Sequence, residues 1–176
     1  FSLVPRGGGT SLAGQTVGAS LHVDFSRHMR DIIELNTDER WVRVQPGVVL
    51  DELNAHLAPH GLQFGPDVST SSRANLGGMI GNNSCGAHSI LYGKTIDHVQ
   101  ELTVVLADGE VARFAPIDED QRRRRSSGNG IEATLHRSLP GLLSANQEQI
   151  RTRFPHVMRR VSGYTLDALM SPAPFD

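Results

Sequence analysis

The chain has 176 residues, 38 % apolar and 20 % charged, with 18 glycines, one cysteine and a formal net charge of −2. That length suits one ordinary domain or two thin subdomains, and the composition is globular rather than disordered. No apolar run approaches the roughly 18 residues of a membrane span. A single cysteine excludes an intrachain disulfide framework or a cysteine-rich metal site within the chain, and the balanced charge supplies no basic footprint for nucleic acid.

The chain opens on Phe1 and stops in mid-pattern after Ser171, without a charged-then-apolar leader, and is read as a piece of a longer protein. Leu3-Val4-Pro5-Arg6-Gly7 also matches part of a protease-tag site, but Gly8-Gly9-Thr10-Ser11-Leu12 continues the same motif, which argues against a tag scar. Leu21 to Phe25 alternates apolar and polar residues and predicts a half-buried strand. Trp41 to Gln45 predicts another, with Val42 and Val44 on one face and Trp41 in the core, and Pro46-Gly47 ends it. From Val49 to His60 the spacing of Leu50, Leu53 and Leu57 predicts an amphipathic helix, with Gly61 as its stop. Gln63 to Gly93 has weak periodicity and reads as one long loop dense in Gly, Ser and Asn. Glu101 to Phe114 reads as a hairpin with a two-residue Asp108-Gly109 turn. Arg122 to Arg125 and the Ser126 to Gly130 stretch read as a solvated, mobile loop. Leu135 to Arg153 reads as helical, restarting at Pro140. Strands and helices mix without strict alternation, so the class is α+β.

Chemistry concentrates in two glycine clusters. In the first, Arg6-Gly7-Gly8-Gly9-Thr10-Ser11, bare backbone lets ligand atoms approach the main chain. Successive amides in such a turn form an anion nest, Arg6 adds a positive charge, and Thr10 and Ser11 add hydroxyls. The set suits a pyrophosphate, although a run of three glycines alone fits a flexible loop equally well. It lacks the Gly-Lys-Ser/Thr ending of a P-loop and the G-x-G-x-x-G of a dinucleotide-binding turn. The second cluster runs from Gly65 through Asp67, Ser71, Ser72, Gly77, Gly78, Gly81, Asn82, Asn83 and Ser84 to Gly93. It can surround a flat, polar-edged ligand, and taken alone it fits a structural connection as well.

Together and in this order, the two clusters and the hairpin after them resemble the flavin domain of the vanillyl-alcohol-oxidase and p-cresol-methylhydroxylase superfamily. The wording from Pro5 to Gln15 is most similar to the FAD-linked D-2-hydroxy-acid dehydrogenases (lactate, glycolate, 2-hydroxyglutarate), including large bacterial members fused to an iron–sulfur half. The likeness is strong over Val4 to Phe114 and weak over Ser162 to Leu169. It implies a two-subdomain FAD-binding domain truncated at both ends, with residues 1–98 as the first subdomain and 99–176 as the start of the second.

The resemblance also implies roles. Arg6, Gly7, Gly8, Gly9, Thr10 and Ser11 would wrap the FAD pyrophosphate, so that a side chain on Gly8 would occupy pyrophosphate space. Asp67, Ser71, Ser72, Gly77, Gly78, Gly81, Asn82, Asn83 and Ser84 would line the flavin and the other side of the pyrophosphate, with Lys94 and Asp97 mainly structural. Some relatives hold FAD through a histidine where Gly9 or Thr10 stands here, so noncovalent FAD is expected. The implied reaction is hydride transfer from a D-2-hydroxy acid to FAD, giving a 2-oxo acid, with catalytic residues in the part of the parent beyond this chain. This piece is therefore expected to be inactive alone. The electron acceptor is left open among a quinone, a cytochrome and an iron–sulfur domain of the parent, whose missing part could carry the cluster. The implied location is the cytoplasm, or the inner face of a membrane as a peripheral protein. An alcohol or sugar oxidase of the same fold and a non-catalytic nucleotide-binding fragment stay open as alternatives.

His56 and His60 stand four apart but read as a surface pair, since the helix is ending there and no acidic partner follows. Cys85 reads as a small buried residue, and His88 as either a loop histidine or a neighbour of the flavin.

Overall fold

The computed structural model describes residues 2–157, 160 and 163–170. The chain divides into two compact units, Phe1–His98 and Val99–Asp176.

In the first unit, β1 (Leu3–Arg6) and β2 (Leu21–Asp24) run parallel, in register from Leu3 opposite Leu21 to Arg6 opposite Asp24. The alternation in β2 predicts one covered face, yet all four of its residues are exposed. Its sheet has only two strands, whereas parallel sheets normally have both faces covered. β3 (Ile32–Asn36) pairs antiparallel with β4 (Trp41–Val44) across a bulge near Ile32. The turn between them is closed by Asn36, whose Oδ1 accepts the amides of Asp38 and Glu39, a usual asparagine turn device. Trp41 is half-buried rather than in the core. Its indole N–H donates to Glu39 at 2.6 Å, and the Arg43 guanidinium lies 5.9 Å from its ring centre.

Helix α1 (Leu50–Leu57) forms where the spacing predicts it, with Leu50, Leu53 and Leu57 buried. A 3-10 turn, Ala58–His60, follows and ends on Gly61 in the left-handed region, a conformation glycine adopts without a Cβ penalty. The stretch expected to be one long loop contains two short helices, α2 (Leu76–Gly81) and α3 (Ser89–Tyr92). The glycines of α2 mask its period, but Leu76 and Met79 fall on one buried face. They join Val48, Leu50, Leu53, Leu57 and Ala74 in one core, with β3, β4 and Phe64 packed against it. The turn before α1 and the segment before α2 are bonded directly. Leu50 donates to the Ala74 carbonyl (3.0 Å), Leu76 to that of Val48 (2.9 Å) and Gly77 to that of Pro46 (2.9 Å).

In the second unit, β5 (Leu102–Val105) and β6 (Val111–Phe114) form the expected hairpin. The Leu106 amide bonds the Glu110 carbonyl, so the loop is the three residues from Ala107 to Gly109 rather than two. Arg122 to Arg125 are not a solvated loop but the end of α4 (Glu119–Arg125), which Asp118 and Gln121 start with a reciprocal capping box. Two of the four arginines are committed: Arg122 to Glu119 and the His136 carbonyl, Arg125 to the Arg113 carbonyl and Glu132. Helix α5 (Ile131–Ala145) runs through Pro140, and the break comes at Asn146 before α6 (Gln147–Arg153). Proline removes the N–H that would serve the carbonyl four residues back. That carbonyl belongs to His136, and Arg122 supplies the missing donor at 3.0 Å. The weak likeness over Ser162 to Leu169 falls partly outside the described residues. Within it, Asp167 pairs with Arg160, and a 3-10 turn spans Ala168–Met170.

His136 is buried, with Nε2 3.7 Å from Glu132 and its ring against Phe114. Burial pushes its pKa below the ordinary 6.5, with the charges of Arg125 and Arg122 pushing the same way against Glu132. A histidine with a lowered folded pKa stabilises fully above its unfolded value, and that contribution is lost as pH falls through the folded one. Urea unfolding of the second unit should therefore show stability falling from pH 7.5 to 5.5. His136→Leu should flatten that slope, and an equal slope in the variant would remove His136 as its source.

Candidate cofactor-binding site

β1 delivers the chain directly into the first glycine turn. Among the described residues, the amides of Gly7, Gly8, Gly9 and Thr10 make no hydrogen bond within the protein. Such groups are normally paired or hydrated, so this turn presents a row of available donors. Arg6 precedes it, exposed, and among the described residues its guanidinium makes no hydrogen bond or close ion pair. A Cβ on Gly9 would stand 3.1 Å from Arg6 Nη2, so the guanidinium lies along the turn. Across the strand pair, Asp24 is held below the usual carboxylate range, first by the Ser26 hydroxyl and amide and further by the charge of Arg6. Ser11 spends its hydroxyl on Gln15, whereas among the described residues Thr10 makes no hydrogen bond.

The second cluster folds against the first. A Cβ on Gly8 would overlap the Arg73 carbonyl oxygen, and one on Gly7 would stand 2.8 Å from Asn75 Oδ1. Glycine at position 8 is thus required by the approach of another stretch of backbone. This corrects the expectation that a side chain there would fill ligand space. The segment leading into α2 therefore lies beside the available amides. On α2 itself, Gly77 packs on Pro46, but a Cβ on Gly78 or Gly81 would meet nothing within 4 Å. The Gly78 amide is also uncommitted among the described residues. A helix that carries glycine without a packing reason gives up about 0.5–1 kcal/mol per residue relative to alanine, and here it gains a bare, open surface.

The remaining expected residues divide by where their polar groups go. Ser72 and Asn82 are exposed, and their side chains make no hydrogen bond among the described residues. Ser71 accepts the Asp51 amide through its carbonyl, and Ser84 likewise accepts the Thr95 amide and hydroxyl. Asn83 sits at φ 45, and its Oδ1 accepts the Ile96 amide at 3.0 Å. Asp67 is turned to His88, accepting its backbone amide at 3.1 Å and its ring Nδ1. The bond from the His88 ring is the main reason its carboxyl titrates below the usual range. This pair borders an open cleft of about 320 Å³ shared with Asn54, Phe64 and Tyr92. Lys94 and Asp97 are joined through the Lys94 amide, and Cys85 is half-buried. His56 and His60 are exposed, and among the described residues no group of three or more His, Cys, Asp or Glu could hold a metal ion. Asn75 was not among the expected site residues. It lies in the stretch read as loop, and only the fold shows that it precedes a helix and that its side chain bonds the Gly47 carbonyl.

A cation and a turn of available amides, lying beside the segment that leads into α2, have the chemistry of a backbone cradle for an anionic ligand. The FAD binding domain family matches residues 1–115, and the chain belongs to that family. It is 46 % identical over 164 residues to a D-2-hydroxyglutarate dehydrogenase of Pseudomonas putida, covering 93 % of this chain and 16 % of that protein. It is 35 % identical over 132 residues to a mitochondrial D-lactate dehydrogenase [cytochrome] of Kluyveromyces lactis, covering 73 % of this chain and 22 % of that protein. Among solved structures, an alkyldihydroxyacetonephosphate synthase superposes with a TM-score of 0.58 at 23 % identity, over 68 % of this chain and 22 % of that one. The α+β fold is therefore of the FAD-binding type. The chain spans about a sixth of the length of the 2-hydroxyglutarate dehydrogenases it matches. The residues present fit the cofactor: amides and Arg6 for phosphate, open glycine surface on α2 for close approach, and a buried acceptor at Asn75.

The two kinds of glycine predict opposite responses in the ligand-free chain. Gly8→Ala should lower its stability by about 1–3 kcal/mol, because backbone must move to admit the methyl group. Gly78→Ala should raise it by about 0.5–1 kcal/mol. Urea titration of both variants checks this, and a destabilised Gly78→Ala would show that its space is not open.

Proposed function

We propose that this chain is the FAD-holding part of a flavin-dependent dehydrogenase that oxidises a D-2-hydroxy acid to a 2-oxo acid. The observation that carries the reading is the 46 % identity over 93 % of the chain to a D-2-hydroxyglutarate dehydrogenase. The uncommitted amides of the first glycine turn support it. FAD, when bound, supplies the acceptor for the hydride that leaves the substrate α-carbon.

The work of this chain is to bind and orient. Arg6 and the amides of Gly7, Gly8, Gly9 and Thr10 hold the pyrophosphate, with Ser11 closing the turn through Gln15. Gly78, Gly81, Asn82 and Ser72 border the space along α2. Gly77, Ser71, Asn83 and Ser84 shape that wall through their internal bonds. Asp67 fixes the far end of the second cluster through His88. Gly9 and Thr10 offer no side chain able to bond a flavin carbon, so FAD is held noncovalently. The substrate-binding groups and any iron–sulfur cluster belong to the rest of the parent protein, and the electron acceptor is a quinone, a cytochrome or an iron–sulfur domain of the parent. The parent works in the cytoplasm, or as a peripheral protein on the inner face of a membrane.

Titration of the chain with FAD, followed by flavin fluorescence, should show saturable noncovalent binding that is released on denaturation. Arg6→Ala should weaken it by about 1.5–3 kcal/mol, the cost of a lost hydrogen bond to a charged group. An unchanged dissociation constant would remove Arg6 from the site. In the full-length parent, D-2-hydroxy acids should bleach the bound flavin, and failure of every D-2-hydroxy acid to do so would overturn the assigned reaction.

A further inference from the structure

By backbone geometry Asn75 is the cap of α2, with φ −88 and ψ 144. Asparagine in that place ordinarily turns its side-chain oxygen onto the amides of the first helical turn. Here it makes no such bond. Its Nδ2 donates instead to the Gly47 carbonyl at 2.7 Å, and that anchor fixes which end of the side-chain amide is nitrogen. One amide a cap would have served, that of Gly77, is taken by the Pro46 carbonyl.

Oδ1 is left facing the first glycine turn, 2.8 Å from where a Cβ of Gly7 would stand and 3.4 Å from that of Gly8. Asn75 is 3 % exposed, and among the described residues Oδ1 has no hydrogen-bond partner. Buried acceptors in folded proteins nearly always have one. The oxygen therefore awaits a donor that enters beside the glycine turn. An ionised pyrophosphate offers only acceptor oxygens and would be repelled there. The parts of a dinucleotide flanking the pyrophosphate, the ribityl chain and the ribose, carry hydroxyl donors.

We infer that Asn75 Oδ1 accepts a hydrogen bond from a hydroxyl of the polyol part of FAD, next to the phosphates held by the Gly7 to Thr10 amides. This rests on the FAD reading above and adds a binding residue to it. The two clusters then divide the ligand by polarity. The amides of the first glycine turn take the anion, and the segment before α2 takes the sugar-like chain beside it.

Asn75→Leu keeps the side-chain volume and removes the acceptor. The expected result is FAD binding weakened about five- to tenfold, the loss of one buried hydrogen bond. Inorganic pyrophosphate, measured as a competitor, should bind no more weakly than to the wild type. Riboflavin 5′-phosphate and ADP locate the hydroxyl: a loss confined to the first assigns the ribityl chain, and one confined to the second assigns the ribose. Equal losses for FAD and pyrophosphate, or no loss for FAD, would overturn the inference, since Asn75 would then act only through its Gly47 bond or not at all. Should Asn75→Leu fail to fold, a crystal structure of the wild-type chain with FAD decides instead. A ligand hydroxyl within 3.2 Å of Oδ1, about the limit of a good hydrogen bond, supports the inference, and Oδ1 bonded to protein N–H alone overturns it. A wild-type chain that takes up no FAD overturns the cofactor reading first, an outcome distinct from FAD uptake that Asn75→Leu leaves unchanged.

Discussion

The first unit depends on a backbone clamp between two turns far apart in sequence. Leu50 bonds Ala74, Leu76 bonds Val48, Gly77 bonds Pro46, and the Asn75 side chain bonds Gly47. These four bonds lie over a core of Leu50, Leu53, Leu57, Leu76 and Met79, so burial and hydrogen bonding select the same arrangement. The clamp sets where α2 begins, and hence where its bare surface lies. It also places the Arg73 carbonyl where only a glycine at position 8 can sit beside it. Because apolar contact is non-directional, the core alone would let the two turns slide. The bonds fix their register.

The glycine clusters therefore do two different jobs that look identical in a sequence. Gly8 is small because protein backbone comes close, whereas Gly78 is small although, among the described residues, nothing comes within 4 Å of where its Cβ would stand. The first kind is explained within the fold. The second costs helix stability, and among the described residues no packing contact offsets that cost. Gly9, along which the Arg6 guanidinium lies, stands between the two kinds.

What was legible follows from periodicity. Leu50, Leu53 and Leu57 announce α1, and the alternating run before Asp108-Gly109 announces the hairpin. The two glycine clusters were visible as clusters, and their order carried the family resemblance. What was not legible came from interactions distant in sequence. β3 has a bulge that spoils its alternation, and the apolar positions of α2 are too few to show a period. The four arginines of α4 read as solvated because Arg122 and Arg125 also reach partners on α5 and β6 that the local sequence does not show. Pro140 read as a restart because nothing local shows that Arg122 replaces its missing donor. Asn75 was hidden because the stretch around it read as loop, where an asparagine draws no notice, and its side-chain partner Gly47 lies far away in sequence.

A superposition at 23 % identity with an alkyldihydroxyacetonephosphate synthase bears on the fold alone. A cradle made of main-chain amides asks only for glycine where backbone must approach and for a clamp that holds the turn in place. Most side chains around it are free to change. Among the described residues of this unit, side chains whose atoms hold fixed positions include Asn75, whose Nδ2 bonds the Gly47 carbonyl, and Asp67, which accepts two hydrogen bonds from His88.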